Sequence, residues 1–251
     1  MSTAFADPRA EQRRQKSLRL VRAHYHDRGW QSPFRQYELL LARKLEGEAR
    51  RVLDVGCGRR FPLARFLQQT GAEVHGIDPV AEPGDSPAGV VLKQGMAERI
   101  PYEAEIFDVV TSCSVLEHLE DPGRVFTEFC RVLKRGGCVV FLAASRYDYV
   151  SLFAAAVPNA WHGGLVRYLE GRDTEDTFAT FYRANSRRQL RRLAQDHGFQ
   201  VEQIEYLNQF PQLLMRWPWL CRAGIGYDRL IGRFRRLHWL RGWVLGCLAK
   251  R

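Results

Sequence analysis

The 251-residue sequence lacks several patterns that would assign a protein class at once. Its six cysteines form no CxxC pair, so zinc and dithiol chemistry have little support and a reducing, cytoplasmic setting is the simplest expectation. No stretch of about 20 residues is cleanly apolar, so a membrane-spanning helix is not expected. The first residues, MSTAFADPRAEQRRQK, have no apolar core and do not resemble a secretory signal.

Acidic residues are scarce near both ends of the chain. Residues 1–50 contain 11 Lys and Arg against 6 Asp and Glu, residues 51–207 contain 18 against 21, and residues 208–251 contain 9 against 1. The central part of the chain is thus slightly acidic, and its two ends are basic. Basic ends favour anionic partners, such as the inner face of the cell membrane, nucleic acid or an acidic substrate. Solvated helix faces are the alternative explanation.

Between residues 51 and 207, apolar runs typical of buried strands alternate with amphipathic helices. The strand patterns are RVLDVG, EVHGIDP, GVVLKQG, FDVVTSC, CVVFLAAS and VEQIEYL. The helix patterns are PLARFLQQTG, DPGRVFTEFCRVLKRGG and SRRQLRRLAQDHG, with Asp121 and Ser186 as N-caps and Gly136 closing the second helix. This alternation predicts an α/β fold with a doubly wound, mostly parallel sheet.

Two further segments flank this domain at residues 51–207, and a third interrupts it. Residues 1–50 are predicted to form two helices, broken near DRGWQSPF, that make an N-terminal helical cover. Residues 146–185 interrupt the rhythm of strands and helices and are interpreted as a substrate-covering insertion. Residues 208–251 are predicted to form a basic, amphipathic, helical C-terminal segment, because large apolar residues recur at helical steps from Tyr227 to Leu248.

The C-terminal segment also contains tryptophans, and arginines lie largely between its apolar residues. A basic amphipathic helix with tryptophans suits the surface of a bilayer, so residues 212–251 are a candidate for contact with an anionic membrane. Packing of the apolar stripe on the protein itself is an equally good interpretation. Nucleic-acid binding is a third.

Acidic residues and glycines gather where two strands are expected to end. Asp54 ends the first strand and is followed by Gly56 and Gly58, and Asp78 ends the second strand 24 residues after Asp54. At the carboxyl edge of a parallel sheet, an acid in this place suits the two hydroxyls of a ribose, and glycines let a ligand approach the main chain. The arginines and phenylalanine after the glycines do not suit a dinucleotide pyrophosphate. A ligand with a nucleoside end and an amino-acid end fits better, with Asp54 near its ammonium group, and a turn-capping role for Asp54 is the alternative.

Five motifs in order resemble those of class I S-adenosylmethionine-dependent methyltransferases, in the branch called the type 11 methyltransferase domain. They are VLDVGCG, VHGIDPV, QGMAERIPY, FDVVTSCSVLEHLEDP and RVLKRGGCVVF. The resemblance implies a Rossmann-like methyltransferase fold, S-adenosyl-L-methionine as cofactor and methyl transfer by in-line displacement. It also implies a set of cofactor-binding residues: Asp54, Gly56 and Gly58 under the methionine part, Asp78 at the ribose, Met96 and Ala97 beside adenine, and Ser112 and Cys113 beside the methionine and the sulfonium.

Two positions depart from this family's usual pattern. The family usually has a third glycine where Arg60 stands and an aspartate where Met96 stands. Methionine packs on an adenine ring but accepts hydrogen bonds only weakly, so cofactor affinity is expected to fall several-fold, on the order of 1 kcal/mol. These departures keep a non-catalytic binding or membrane-associated module among the alternatives.

Residues on the acceptor side are less clearly marked. If the acceptor is a hydroxyl or phenol, His118 is the first candidate for a general base, with a capping or surface histidine as the alternative. His162 and Tyr182, in the insertion, are further candidates, for which ordinary packing is the alternative. Glu117 and His118 resemble part of the ExxEH metal site of some quinone O-methyltransferases, but Ser114 replaces the first carboxylate, so no metal is predicted.

The leading prediction is methyl transfer to a small, hydrophobic or lipid-linked acceptor, whose reacting atom the sequence does not indicate. One alternative is a nucleic-acid methyltransferase, which the positive charge would suit but which the absence of an NPPY-type motif argues against. The other is the non-catalytic module that keeps the fold.

Overall fold

The structure, a computed structural model, describes residues 8–47, 50–59, 61–82, 84, 86–147, 149, 179–209, 214–215 and 217–251. The chain divides into two compact units. The sheet unit comprises the described parts of Pro33–Arg146, Phe178–Leu207 and Gly242–Arg251. The helical unit comprises the described parts of Met1–Ser32, Tyr147–Thr177 and Asn208–Arg241.

Strands and helices alternate through most of the sheet unit. Its strands are β1 (Arg51–Val55), β2 (Glu73–Asp78), β3 (Val90–Gln94), β4 (Phe107–Cys113), β5 (Leu133–Ala144), β6 (Phe199–Leu207) and β7 (Trp243–Lys250). Its helices are α2 (Pro33–Leu45), α3 (Ala64–Gln69), α4 (Pro122–Val132) and α5 (Arg187–Asp196), with a 3-10 turn at Leu116–His118. The helical unit contains α1 (Pro8–His24), α6 (Pro218–Arg233) and 3-10 turns at His26–Arg28 and Arg235–Leu240.

The seven strands form one sheet in the order β3-β2-β1-β4-β5-β7-β6. Strands β1 to β5 run parallel, and β7 runs antiparallel to both β5 and β6. The strand order reverses between β1 and β4, and in a doubly wound sheet ligands bind outside the carboxyl ends of the strands at such a switch point. The prediction of a doubly wound, mostly parallel α/β sheet is confirmed, and the predicted cofactor residues lie at this edge.

Helices cover both faces of the sheet, and each face has its own apolar core. On one face α4 and α5 pack against the strands through side chains that include Phe126, Phe129 and Leu190. On the other face α2 and α3 do so through side chains that include Leu41 and Leu67. Burial of a large apolar side chain contributes about 1.5–3 kcal/mol, so the two cores fix the strand ends that carry the site. Residues 1–50 are therefore divided, because α2 packs on the sheet whereas α1 lies in the helical unit.

The helix starts follow the sequence, but the end of α4 does not. The Asp121 carboxylate accepts from the Arg124 N–H at 3.2 Å, and the Ser186 hydroxyl accepts from the Gln189 N–H at 3.3 Å, which confirms both N-caps. Helix α4 ends at Val132, and β5 begins immediately afterwards rather than at Cys138. Its register with β4 shifts between these points, where Gly136 has a left-handed backbone with φ of +75°.

The C-terminal segment is not helical throughout. Helix α6 ends at Arg233, and Trp243–Lys250 forms β7 between β5 and β6. Val244, Leu245, Cys247 and Leu248 are buried on both faces, as an inner strand requires. The prediction of an amphipathic helix that continues to Leu248 is therefore wrong. No helix in the described part of the chain has the length and apolar character needed to cross a membrane.

Candidate active site

The loop after β1, residues 56–58, is held against the end of β2 and is called the glycine loop here. The N–H groups of Gly56 and Cys57 donate to the carbonyl oxygen of Ile77 at 2.8 and 3.1 Å. The N–H of Gly58 donates to Oδ2 of Asp78 at 2.8 Å, and that of Val80 donates to Oδ1 at 3.0 Å. Each carboxylate oxygen of Asp78 keeps further capacity to accept, so this side chain can receive hydrogen bonds from the two hydroxyls of a ribose.

The two glycines of the loop have different structural roles. Both adopt a left-handed backbone, with φ of +78° at Gly56 and +69° at Gly58, which disfavours a side chain. A Cβ on Gly56 would overlap Cγ2 of Val115, whereas a Cβ on Gly58 would meet no atom within 4 Å. Gly56 is therefore required by packing. Gly58 borders open space beside Asp78, which is where a ligand can lie against the main chain.

At the ends of β1 and β4, two buried polar atoms lack a hydrogen-bond partner among the described residues: Oδ1 of Asp54 and Oγ of Ser112. Burial, with the nearby charge of Asp78, raises the pKa of Asp54 to about 8. A cationic donor would offset the cost of desolvating this carboxyl, so the site suits an ammonium group. The described residues provide no backbone N–H to Asp54, and the turn-capping interpretation has no support in them.

Met96 and Ala97 come directly after β3, where Gly95 donates its N–H to the carbonyl oxygen of Asp78 at 3.2 Å. The Met96 carbonyl accepts from the Arg99 N–H at 3.1 Å, and its side chain is exposed. This placement beside Asp78 agrees with a side chain that packs against a flat ring next to a ribose.

Ser112 and Cys113 end β4, the neighbour of β1 across the switch point. Burial raises the pKa of the Cys113 thiol to about 12, so it is neutral near pH 7 and is not a nucleophile. The residues predicted for the cofactor therefore lie at or just after the ends of β1, β2, β3 and β4, which are adjacent in the sheet.

The residues at this edge fit S-adenosylmethionine. Asp78 can accept from its ribose, Asp54 can accept from its ammonium, and Gly58 leaves room for the chain that joins them. Arg60, which stands where the family usually has glycine, lies outside the described residues.

The acceptor candidates lie in the turn after β4. The Nδ1 atom of His118 lies 2.9 Å from the carbonyl oxygen of Ala179, so the ring donates through Nδ1–H and the lone pair of the neutral imidazole is on Nε2. The N–H groups of Phe181 and Tyr182 donate to the Glu117 carbonyl at 2.8 and 3.1 Å, which holds the Tyr182 segment against this turn. His162 lies outside the described residues.

Glu117 is a buried acid whose burial the sequence does not indicate. Its side chain is only 5% exposed, and Oε2 has no partner among the residues that the structure describes. Burial raises its pKa to about 7, although a backbone hydrogen bond from Ala144 acts in the opposite direction. A carboxyl that titrates near neutral pH at the ligand-binding edge of a sheet is a candidate for proton transfer. Its place beside His118 was the only signal in the sequence.

The described ranges contain no group of three or more His, Cys, Asp and Glu side chains that could hold a metal ion. The absence of a metal in the functional protein stays a prediction, which rests on Ser114 in place of a carboxylate.

Comparison with known proteins identifies the family. Residues 22–204, which make up more than half of the chain, match the model of a methyltransferase domain family. The chain belongs to this methyltransferase family. Its members use S-adenosylmethionine, so the predicted cofactor and the predicted enzyme class are confirmed.

Two curated relatives of this methyltransferase share one name. This chain is 32% identical over 190 residues to the ubiquinone biosynthesis O-methyltransferase of Pseudomonas savastanoi pv. phaseolicola. The match covers 71% of this chain and 76% of the relative. The chain is 38% identical over 117 residues to the protein of that name from Pseudomonas fluorescens, across 42% of this chain and 49% of the relative. The match thus spans about half the length of the first curated relatives.

Solved structures show the same fold. A geranyl diphosphate C-methyltransferase from Streptomyces coelicolor, crystallised with S-adenosyl-L-homocysteine, has a TM-score of 0.53 at 18% identity, across 86% of this chain and 78% of the other. This likeness concerns the fold alone, and with the strand order above it confirms the Rossmann-like methyltransferase fold.

Proposed function

We propose that this methyltransferase transfers a methyl group from S-adenosylmethionine to a hydroxyl oxygen of a small, hydrophobic or lipid-linked acceptor. The observation that carries the proposal is the pair of acid–base groups, Glu117 and His118, in the turn after the cofactor edge of β4. The relatives named as ubiquinone biosynthesis O-methyltransferases support both the oxygen and the lipid-linked class of acceptor.

The chain's own residues bind and orient the reactants. The cofactor supplies a methyl group on a sulfonium, which is already a good leaving group. Asp54 and Asp78 hold its two ends, and Gly58 leaves the space between them open. In-line displacement then depends mainly on an acceptor held close and aligned, with water excluded.

A hydroxyl acceptor also has to lose its proton, and this requirement distinguishes oxygen methylation from transfer to a softer nucleophile. His118 can accept the proton at Nε2, because its Nδ1–H is directed at Ala179. Glu117 is the second group able to take it, since its pKa lies near 7. Tyr182 and His162 remain candidates for contact with the acceptor.

The six cysteines are free thiols, which supports action in a reducing compartment, and we place the protein in the cytoplasm. A nucleic-acid acceptor is the competing function. The basic surface described in the next subsection is the observation in its favour.

The proposal is tested by incubating the purified protein and labelled cofactor with polyprenylated phenols, with the same compounds lacking the free hydroxyl, and with total RNA. Mass spectrometry identifies products that gain about 14 Da, the mass of one CH₂. Methylation of the free phenols alone is expected. Methylation of the blocked compounds or of RNA, or no transfer to any of them by protein that binds the cofactor, would overturn the proposed acceptor.

A further inference from the structure

The helical unit has an exposed surface that is rich in arginine and nearly free of acid. Residues 217–241 contain six arginines and one acidic residue, Asp228. Asp228 is buried, and its carboxylate accepts a hydrogen bond from the Tyr25 hydroxyl. The single acid of this stretch interacts with the half-buried Arg241, and it does not neutralise the five exposed arginines.

Large apolar side chains lie on the same surface. Trp219 and Leu230 are 67% and 53% exposed. They are 11 residues apart on α6, which places them about 20° apart around the helix and about 16 Å apart along it. The opposite side of α6 carries Cys221 and Ile225, which are buried against α1. The apolar stripe of Trp219 and Leu230 is thus turned away from the core of its own unit.

Arginines flank this stripe on one side. Arg222, Arg229 and Arg233 lie within about 80° of Trp219 around the helix, and all three are exposed. Within the described part of the chain none of them is paired with an acidic side chain. Their charges therefore remain available to an anionic partner.

The 3-10 turn after α6 extends the surface. It exposes Phe234 and Trp239 together with Arg235 and Arg236. The hydroxyl of Tyr227 donates to the Leu240 carbonyl at 2.7 Å, which fixes the turn beside the helix.

We propose that the surface of Trp219–Trp239, called the docking surface here, binds a bilayer that contains anionic phospholipid. Tryptophan and phenylalanine side chains favour the headgroup boundary, and arginines beside them reach the lipid phosphates. The exposed Leu230 between two tryptophans distinguishes this surface from a nucleic-acid groove, where leucine would have neither a base to stack on nor a phosphate to bind. Docking itself does not depend on the proposed function. Its consequence, access to an acceptor dissolved in the membrane, rests on that proposal.

Vesicle co-sedimentation of the full-length protein tests the proposal, with phosphatidylcholine vesicles that contain or lack about one-third phosphatidylglycerol. Binding to the anionic vesicles alone, weakened by salt, is expected. The double variant Arg229→Glu with Arg233→Glu should lower the affinity about tenfold or more, because each basic group near an anionic surface is replaced by a repelled one. Trp219→Ala with Leu230→Ser should lower it several-fold at unchanged charge.

A matched control distinguishes an effect of the docking surface from an effect of the protein's net charge. Arg188→Glu with Arg191→Glu makes the same charge change at two exposed positions of α5 and should leave vesicle binding within about twofold. Circular dichroism of each variant verifies folding, and methylation of a water-soluble acceptor, unchanged in the docking variants, separates failure of docking from failure of the proposed function. Equal weakening in the control, no binding to anionic vesicles at low salt, or binding to RNA through Arg229 and Arg233 without binding to vesicles would overturn the proposal.

Discussion

The N–H of Gly58 donates to Oδ2 of Asp78 across 2.8 Å, and this bond joins the loop after β1 to the end of β2. The same carboxylate is the one that can accept from the cofactor ribose. The shape of the glycine loop and the affinity for the nucleoside end of the cofactor therefore depend on one side chain.

Asp78→Asn should weaken S-adenosylmethionine binding about 10- to 100-fold, because the ribose hydroxyls and two backbone N–H groups lose a charged acceptor. Isothermal titration calorimetry measures the change. Glu103→Gln, at an exposed acid between β3 and β4, is the control and should bind normally. Unchanged affinity in Asp78→Asn would place the ribose elsewhere.

Gly56→Ala and Gly58→Ala should separate folding from binding. Both substitutions place a side chain on a left-handed backbone, at a cost of about 1 kcal/mol. Gly56→Ala adds an overlap with Val115 and should lower the melting temperature strongly, whereas Gly58→Ala fills open space and should mainly abolish cofactor binding. Thermal melts with and without the cofactor measure both effects. A Gly58→Ala protein that binds normally would show that the ligand does not approach this loop.

The cofactor edge could be predicted because its residues follow directly from the ends of parallel strands. Once the strands of Asp54 and Asp78 are recognised, the fold places their carboxyl ends at one edge. Glu117 shows the limit of this approach, because its position is readable but its burial depends on the packing of β5 and of residues 179–182 around it. The pKa of Glu117 is raised because the side chain is buried, and the residue type alone does not indicate this.

His118→Gln should lower kcat for a phenolic acceptor about 100-fold or more and leave cofactor affinity unchanged, because the proton acceptor at Nε2 is lost. His197→Gln is the matched control, at a histidine that hydrogen-bonds to Thr127 beyond the end of α5, and should retain activity. If Glu117→Gln abolishes methyl transfer while His118→Gln keeps it, Glu117 is the base.

The ligand-free protein should lose stability as the pH rises from about 5 to about 8. Burial raises the pKa of Asp54 to about 8, of Glu117 to about 7 and of Asp228 to about 6, so the folded state keeps protons that the unfolded chain has released. Each carboxyl that is protonated in the folded state and ionised in the unfolded chain lowers the free energy of unfolding by about 1.4 kcal/mol per pH unit. Glu73, whose pKa is lowered by its hydrogen bonds to His75 and Arg51, titrates below this range.

Asp54→Asn isolates the largest of these contributions. The variant should therefore show a flatter slope near pH 5, by about 1.4 kcal/mol per pH unit, and little remaining slope between about pH 7 and pH 8, where Asp54 has the highest folded-state pKa of the three. Urea unfolding at four pH values measures both slopes. A wild-type protein whose stability rises across this interval would contradict the raised pKa values.

The last prediction concerns strand β7, for which the sequence pattern indicates a helix instead of a strand. The apolar spacing from Tyr227 to Leu248 is compatible with a helix, and nothing local indicates that Cys138 of β5 pairs with Ala249, more than 100 residues away. Gly246 tests this pairing, since a Cβ there would overlap the ring of Phe141 on the neighbouring strand. Gly246→Ala should therefore destabilise the protein by about 1–3 kcal/mol.

The matched substitution is Gly226→Ala on α6, where a Cβ would meet nothing within 4 Å. This change should stabilise the protein by up to about 1 kcal/mol, because alanine favours a helix more than glycine does. Chemical unfolding of both variants compares the two positions directly. If Gly246→Ala were instead stabilising to the same degree as Gly226→Ala, the end of the chain would be the helix that its apolar spacing suggests, and Phe141 would not be covered by β7.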